Sequence, residues 1–188
     1  MNVETLRRIA AESIALKQRF FAEKAELLLS VGERLAASVK AGGKILVFGN
    51  GGSAADAQHF AGELVGRFLR ERAALPALAL TTDPSVMTAF GNDLGYAVVV
   101  RRQVEAHGRP GDVAVGITTS GRSENVVAAL AAARERGLVT VALTGSGGSR
   151  LKGSVDYLID VPSDDTPRIQ EVHGLIVHLL CQMVEEAA

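Results

Sequence analysis

Five short apolar runs, each followed by a helix-patterned stretch, constrain this chain more than any other feature. The runs are Lys44–Gly49, Pro76–Thr81, Val113–Thr118, Val139–Leu143 and Tyr157–Val161. The first and third end in Gly and Thr, the fourth runs into Thr144, and all three lack hydrophobic/polar alternation, which is how strands buried on both faces read. Between them Ser53–Phe68, Pro84–Ala89, Tyr96–His107 and Ser123–Arg136 carry helical spacing, and a last helix is expected over Pro167–Glu186. Strands alternating with helices imply right-handed crossovers and a doubly wound parallel sheet with helices on both faces. No linker or repeat interrupts the pattern, so residues 1–188 are expected to form one domain. The 47% share of hydrophobic residues with only 4% aromatic suits close packing of helices on such a sheet.

Ahead of the first strand, residues from Val3 to Val39 show helical spacing through Leu6, Ile9, Phe20, Leu27, Val31 and Leu35, with a break expected near Ser30. This segment has more apolar face than one sheet needs. It is expected to cover the sheet and to build part of a subunit interface. It has no unbroken apolar run and carries Glu4 and Glu12, so it reads as neither a signal peptide nor a membrane span. A cytoplasmic location is the resulting expectation. The net charge of −1 gives no reason to expect a nucleic-acid partner. Cys181 has no second cysteine to pair with and sits in an apolar stretch, so it reads as a buried hydrophobe.

Two strand-to-helix turns draw attention. The first is Gly49-Asn50-Gly51-Gly52-Ser53-Ala54-Ala55-Asp56. Its glycines let backbone approach a ligand, and the helix start offers free N–H groups. Ser53 and Asp56 are placed as a capping box. A plain capped turn and a dinucleotide fingerprint (Gly49, Gly51, Ala54) compete with a ligand site here, although Asp83 lies beyond the fingerprint's usual spacing. The second turn, Thr118-Thr119-Ser120-Gly121-Arg122-Ser123, brings four hydroxyls to another helix start with Ser123 as the expected cap. Hydroxyl and N–H donors with a helix dipole suit a phosphate dianion. In a flavodoxin-like strand order both turns line one crevice at the switch point. A dinucleotide site gives no reason for the second turn.

His59 and Glu63 stand four apart on one helix face, a spacing that serves a divalent ion, an acid–base pair or simply a solvated face. On the last helix His178 falls inside an apolar run, as a satisfied core histidine or as a ligand and proton carrier, and His173 is its rival. Gln170 and His178 are eight residues apart, about 12 Å along a straight helix. One ion reaches both only through stretched side chains, a distorted helix or two subunits. His107 before Gly108 reads as a helix C-terminal residue.

Taken together, GNGGSAADAQHFAGELVGRF, AFGNDLGY, GDVAVGITTSGRSENV and RIQEVHGLIVHLL resemble the SIS (sugar isomerase) domains, and among them the phosphoheptose isomerases, over nearly the whole chain. The resemblance implies a three-layer α/β/α sandwich with a five-stranded parallel sheet, a homotetramer, and active sites near subunit interfaces. It implies one Zn²⁺ per subunit on His59, Glu63, Gln170 and His178. It implies sugar-phosphate contacts from Asn50, Gly51, Gly52, Ser53, Glu63, Asn92, Asp93, Thr118, Thr119, Ser120, Ser123 and Gln170. Thr118 stands where a serine is frequent in relatives and Arg122 where an asparagine is; neither swap removes a donor. The implied reaction converts sedoheptulose 7-phosphate to D-glycero-D-manno-heptose 7-phosphate through an enediol, the first step of ADP- or GDP-heptose synthesis and so of lipopolysaccharide or another heptose glycan. Glu63 is the expected base and His178 its acid–base partner, with zinc stabilising enediolate charge. Two non-catalytic relatives compete. One binds the bacterial replication initiator and lacks counterparts of Glu63 and His178. The other senses a sugar phosphate and needs only the hydroxyl cradle.

Overall fold

The computed structural model describes residues Met1–Ala188. The chain opens with helix α1 (Val3–Lys40) and strand β1 (Ile45–Gly49). Next come α2 (Gly52–Val65), β2 (Ala77–Ala79), α3 (Pro84–Asp93) and α4 (Val99–His107), the last entered through a 3-10 turn at Tyr96–Val98. Then β3 (Val113–Thr118), α5 (Glu124–Glu135), β4 (Val139–Thr144), β5 (Tyr157–Asp160) and α6 (Thr166–Ala187) complete the order.

All strand pairs are parallel, and the spatial order is β2-β1-β3-β4-β5. This is the flavodoxin-like order, and its direction reverses between β1 and β3. Side chains alternate faces along each strand. On one face Ile45, Val47, Val115, Ile117, Val141 and Leu143 meet α1, α2 and α6. On the other, Leu46, Phe48, Ala114 and Ala142 meet α4 and α5. The result is the expected α/β/α sandwich. Fully burying a side chain such as Phe48 contributes roughly 2–3 kcal/mol.

Several expected boundaries move. Helix α1 runs unbroken through Ser30, because the buried Leu28, Val31 and Leu35 hold one continuous stripe on the body of the domain. Ahead of the buried Phe20, its first half has no buried residue. Helix α2 ends at Val65 rather than Phe68. Helix α3 continues past Gly91 to Asp93, and none of its residues is buried. Strand β2 is short and lies at the sheet edge, where one side pairs with nothing. A 3-10 segment at Ser146–Leu151 has no counterpart in the sequence pattern, since its glycines and serines carry no periodicity. No helix is long and apolar enough to cross a membrane.

Candidate functional site

Both singled-out turns follow strands that flank the switch point, and they are tied together. The Asn50 and Asn125 carboxamides exchange two hydrogen bonds, each 2.9 Å, Nδ2 of one donating to Oδ1 of the other. Asn125 is buried at the start of α5, so the first turn is pinned to the second. The Tyr96 hydroxyl donates to Asn50 Oδ1 at 3.1 Å and brings the end of the α3 segment to the same place. Neither Asn125 nor Tyr96 was singled out from sequence. Both lie in the quoted stretches, but a lone carboxamide or phenol carries no spacing signal.

Gly51 has φ 55°, a left-handed conformation that glycine accepts freely, and it occupies the N-cap position of α2. Ser53 therefore lies inside the helix, buried, and makes no capping bond; the expected box with Asp56 does not form. Asp56 instead shares a helix stripe with Gly52, His59 and Glu63. Its Oδ2 is buried without a partner, and burial raises its carboxyl above the ordinary range while His59 pulls the other way. In the sequence Asp56 stands out only as a capping-box residue.

At the second turn Ser123 holds the N-cap position of α5 but makes no side-chain cap. Its hydroxyl pairs with Thr118 Oγ1 at 2.9 Å, and the Arg122 N–H donates to Ser120 Oγ at 3.2 Å. Gly121 takes φ 64° and packs against Gly148; a Cβ there would stand 2.7 Å from Gly148 Cα. Thr119, Ser120, Arg122, Gly147, Asp164 and Thr166 line a cavity of about 170 Å³ with no apolar wall. Thr166 is the first residue of α6 and Arg122 precedes the N-cap of α5, and the wall also carries the Asp164 carboxylate. A larger groove, about 540 Å³, follows the outer side of α5 over Val127, Leu130 and Leu151, and holds none of the Thr118–Ser120 hydroxyls.

His59, Glu63 and His178 come together. His59 Nε2 lies 3.0 Å from Glu63 Oε1 and 3.3 Å from His178 Nε2. One potential ligand atom from each falls within 4.8 Å of the others. The His178 ring crosses His59 edge-on and is backed by Phe68 at 5.6 Å between centroids. Two imidazoles and a carboxylate aimed at one point form a donor set that suits a tetrahedral divalent ion with one position open.

Gln170 is not in this group. Its carboxamide lies against Gly52, where a Cβ would meet its Nε2 at 2.5 Å. Helix α6 is continuous from Thr166 to Ala187, so Gln170 stays about 12 Å along the axis from His178. The expected four-residue set therefore does not assemble within one chain. Likewise Glu63 stands eleven residues along unbroken α2 from Gly52, about 16 Å. Asn92 and Asp93 are exposed at the end of α3, with Asn92 Nδ2 donating to Asp93 Oδ1 at 2.8 Å.

His173, the rival to His178, is a core residue. Its Nε2–H donates to the Thr144 carbonyl at 3.2 Å, and burial pushes its pKa down to about 4. Cys181 is buried too, its thiol pushed up to about 12 by burial first and Glu63 second. His107 is the last residue of α4, as its position before Gly108 suggested.

A hydroxyl-lined anion cradle at a flavodoxin-like switch point, with an imidazole–carboxylate cluster along the same helices, is the layout of a sugar-phosphate-handling α/β domain. The SIS domain family pattern matches residues 10–145. The chain belongs to that family, and within it to the phosphoheptose isomerases. It is 49% identical over 187 residues to the phosphoheptose isomerase of Thermodesulfovibrio yellowstonii, covering 99% of this chain and 93% of that one. It superposes on a phosphoheptose isomerase from Neisseria gonorrhoeae with TM-score 0.92 at 45% identity, covering 97% of this chain and 98% of that one. With one from Francisella tularensis the TM-score is 0.94 at 36% identity, covering 99% and 100%. The chain is a sugar-phosphate isomerase.

Proposed function

We propose that the protein interconverts sedoheptulose 7-phosphate and D-glycero-D-manno-heptose 7-phosphate in the cytoplasm. The observation that carries this reading is the convergence of Glu63 and His178 beside His59, on a fold whose cradle suits a phosphate. Thr118, Thr119, Ser120 and Ser123 hold the phosphate with the N–H groups of α5, while Asn50, Gly51, Gly52, Ser53, Gln170, Asn92 and Asp93 contact the sugar. Glu63 takes the proton beside the carbonyl and returns it to the neighbouring carbon, a task for which one carboxylate suffices. His178 moves a proton between the oxygens. His59, Glu63 and His178 fit a zinc ion, which when bound supplies Lewis-acid stabilisation of the enediolate oxygens.

The distance along α2 shapes the assembly. Gly52, which contacts the sugar in this reading, and Glu63 lie at opposite ends of α2, about 16 Å apart along its axis. In this reading the cradle of one subunit works with Glu63 and His178 of another, and Gln170 joins the metal set across the same contact. The exposed first half of α1, with Val3, Leu6 and Ile14 open to solvent, and a groove at Leu29, Ala36 and Met183 supply apolar surface for a homotetramer.

Turnover of sedoheptulose 7-phosphate, with and without a chelator and after zinc is restored, tests the reading. The expected result is aldose formation that chelation suppresses and zinc recovers. A protein that binds the ketose and never forms the aldose is a sensor. One that is inert on the sugar and captures the replication initiator is an adaptor. The presence of both Glu63 and His178 favours the enzyme over either.

A further inference from the structure

We propose that Arg72 and Glu185 are positioning residues for Glu63 and His178. The inference rests on the reading above, in which those two groups move the protons.

Helix α2 stops two residues after Glu63, and the last carbonyls of a helix have no donors of their own. Arg72 reaches back to supply them. Its Nη2 donates to Glu63 O and its Nη1 to Leu64 O, both at 2.8 Å, with further Nη1 contacts to Ala73 O at 3.0 Å and Gly66 O at 3.2 Å. Its Nε donates to Glu185 Oε1 at 3.1 Å. Glu185 comes from the last turns of α6, seven residues beyond His178 and hence on the same helix face. Its carboxylate also accepts the backbone N–H groups of Phe68 at 3.0 Å, Leu69 at 2.8 Å and Arg70 at 3.1 Å. The pair is almost dry, with side-chain exposures of 11% for Arg72 and 2% for Glu185.

One clamp thus joins three pieces: the end of α2, the segment that follows it, and the end of α6. Each arm terminates at the reacting cluster. The Arg72 arm grips the main chain of Glu63 itself. The Glu185 arm fixes the main chain of Phe68, whose ring backs His178 at 5.6 Å. A buried ion pair is a weak source of net stability. Its fixed fork geometry does something an apolar pair cannot, which is to set the angle between two helices at the point where they present an acid and a base. The hydroxyl cradle lies at the opposite end of α2 and makes no contact with the clamp.

Arg72→Gln, Arg72→Lys, Glu185→Gln and Phe68→Leu, assayed on sedoheptulose 7-phosphate, test the inference beside the imidazole NMR shifts of His178 in the ligand-free protein. Arg72→Gln and Glu185→Gln are expected to lower kcat at least about tenfold, since small misplacements of reacting groups carry costs of that size, with KM within about twofold. Arg72→Lys recovers part of the loss. The His178 resonance moves in both clamp variants and by less in Arg72→Lys, which keeps the charge and reads the clamp even if another variant does not fold; Phe68→Leu, which strips the ring from His178, gives the shift for complete loss of that backing. Wild-type kcat with an unmoved His178 resonance in a folded Arg72→Gln or Glu185→Gln protein overturns the inference. So does a kcat loss matched by an equal rise in KM. If the wild-type protein is inert on the sugar, the functional reading fails, and the His178 shift still decides whether the clamp positions that ring.

Discussion

Acidification is expected to weaken the protein through one buried ring, that of His173. The ring is fully buried in α6 and donates through Nε2 to the Thr144 carbonyl, while its Nδ1 has no partner. Burial holds its pKa near 4, against an ordinary value near 6.5. The folded state keeps the ring neutral over a range in which the unfolded chain takes up a proton. The stability this neutrality supports is complete above about pH 6.5 and drains away as pH falls towards 4. At about 1.4 kcal/mol per unit of pKa, the full difference is worth roughly 3 kcal/mol, of which roughly 2 kcal/mol is lost by pH 5. Urea denaturation of wild type and His173→Leu at equal protomer concentration, from pH 7.5 to 5, isolates this contribution from the carboxylates common to both. At pH 7.5 the variant is expected to be less stable by about 1–3 kcal/mol, because the Thr144 carbonyl loses its donor. That gap then closes by about 2 kcal/mol at pH 5. Curves that stay parallel across the range refute the reasoning. The site feels the same ring, since the residue after Thr144 is Gly145, whose N–H donates to the Thr119 carbonyl in the cradle at 2.9 Å.

Three further outcomes follow from the geometry. Gly121→Ala adds about 1–2 kcal/mol of left-handed strain and a Cβ 2.7 Å from Gly148 Cα, so titration with the sugar phosphate is expected to show at least tenfold weaker binding in a protein that still folds by circular dichroism. Asp112→Asn weakens a hub in which Asp112 accepts from the Lys44 side chain at 2.5 Å and from the Lys44 and Arg109 N–H groups; thermal denaturation is expected to show a loss of about 1–3 kcal/mol. Mixing Glu63→Gln subunits with Ser120→Ala subunits, then reassembling the oligomer, is expected to restore activity that neither parent shows. Recovery of none would place both groups of one site on a single chain.

Strand count and the place of both turns were legible in the sequence because the physics is local, whereas the strand order entered only as a condition, since it depends on pairings between distant segments. Buried parallel strands need unbroken apolar runs, and phosphate-binding turns need glycine or hydroxyls at a helix start. The pairing of His59 with Glu63 was legible for the same reason, as one turn of helix fixes it. What escaped depends on contacts between distant residues. Nothing in the spacing of Asn50 and Asn125 announces that their carboxamides lock together across 75 positions. Ser53 resembles a cap because its type and place are right, but Gly51 starts the helix two residues earlier and leaves the hydroxyl inside. The four-residue metal set came from the family resemblance, and the eight residues between Gln170 and His178 already limited how one chain could assemble it. The unbroken α6 removes the distorted-helix option, with Gln170 set against Gly52 and His178 against His59 and Glu63.

The kinetic split for Glu63→Gln bears most directly on the central claim, that this carboxylate carries the proton while a remote cradle holds the phosphate. Turnover of sedoheptulose 7-phosphate followed by NMR, beside calorimetric binding of the same sugar, reads both quantities. The predicted result is a kcat at least about a hundredfold lower with an affinity close to wild type. Aldose formation at the wild-type rate by the variant would contradict the account.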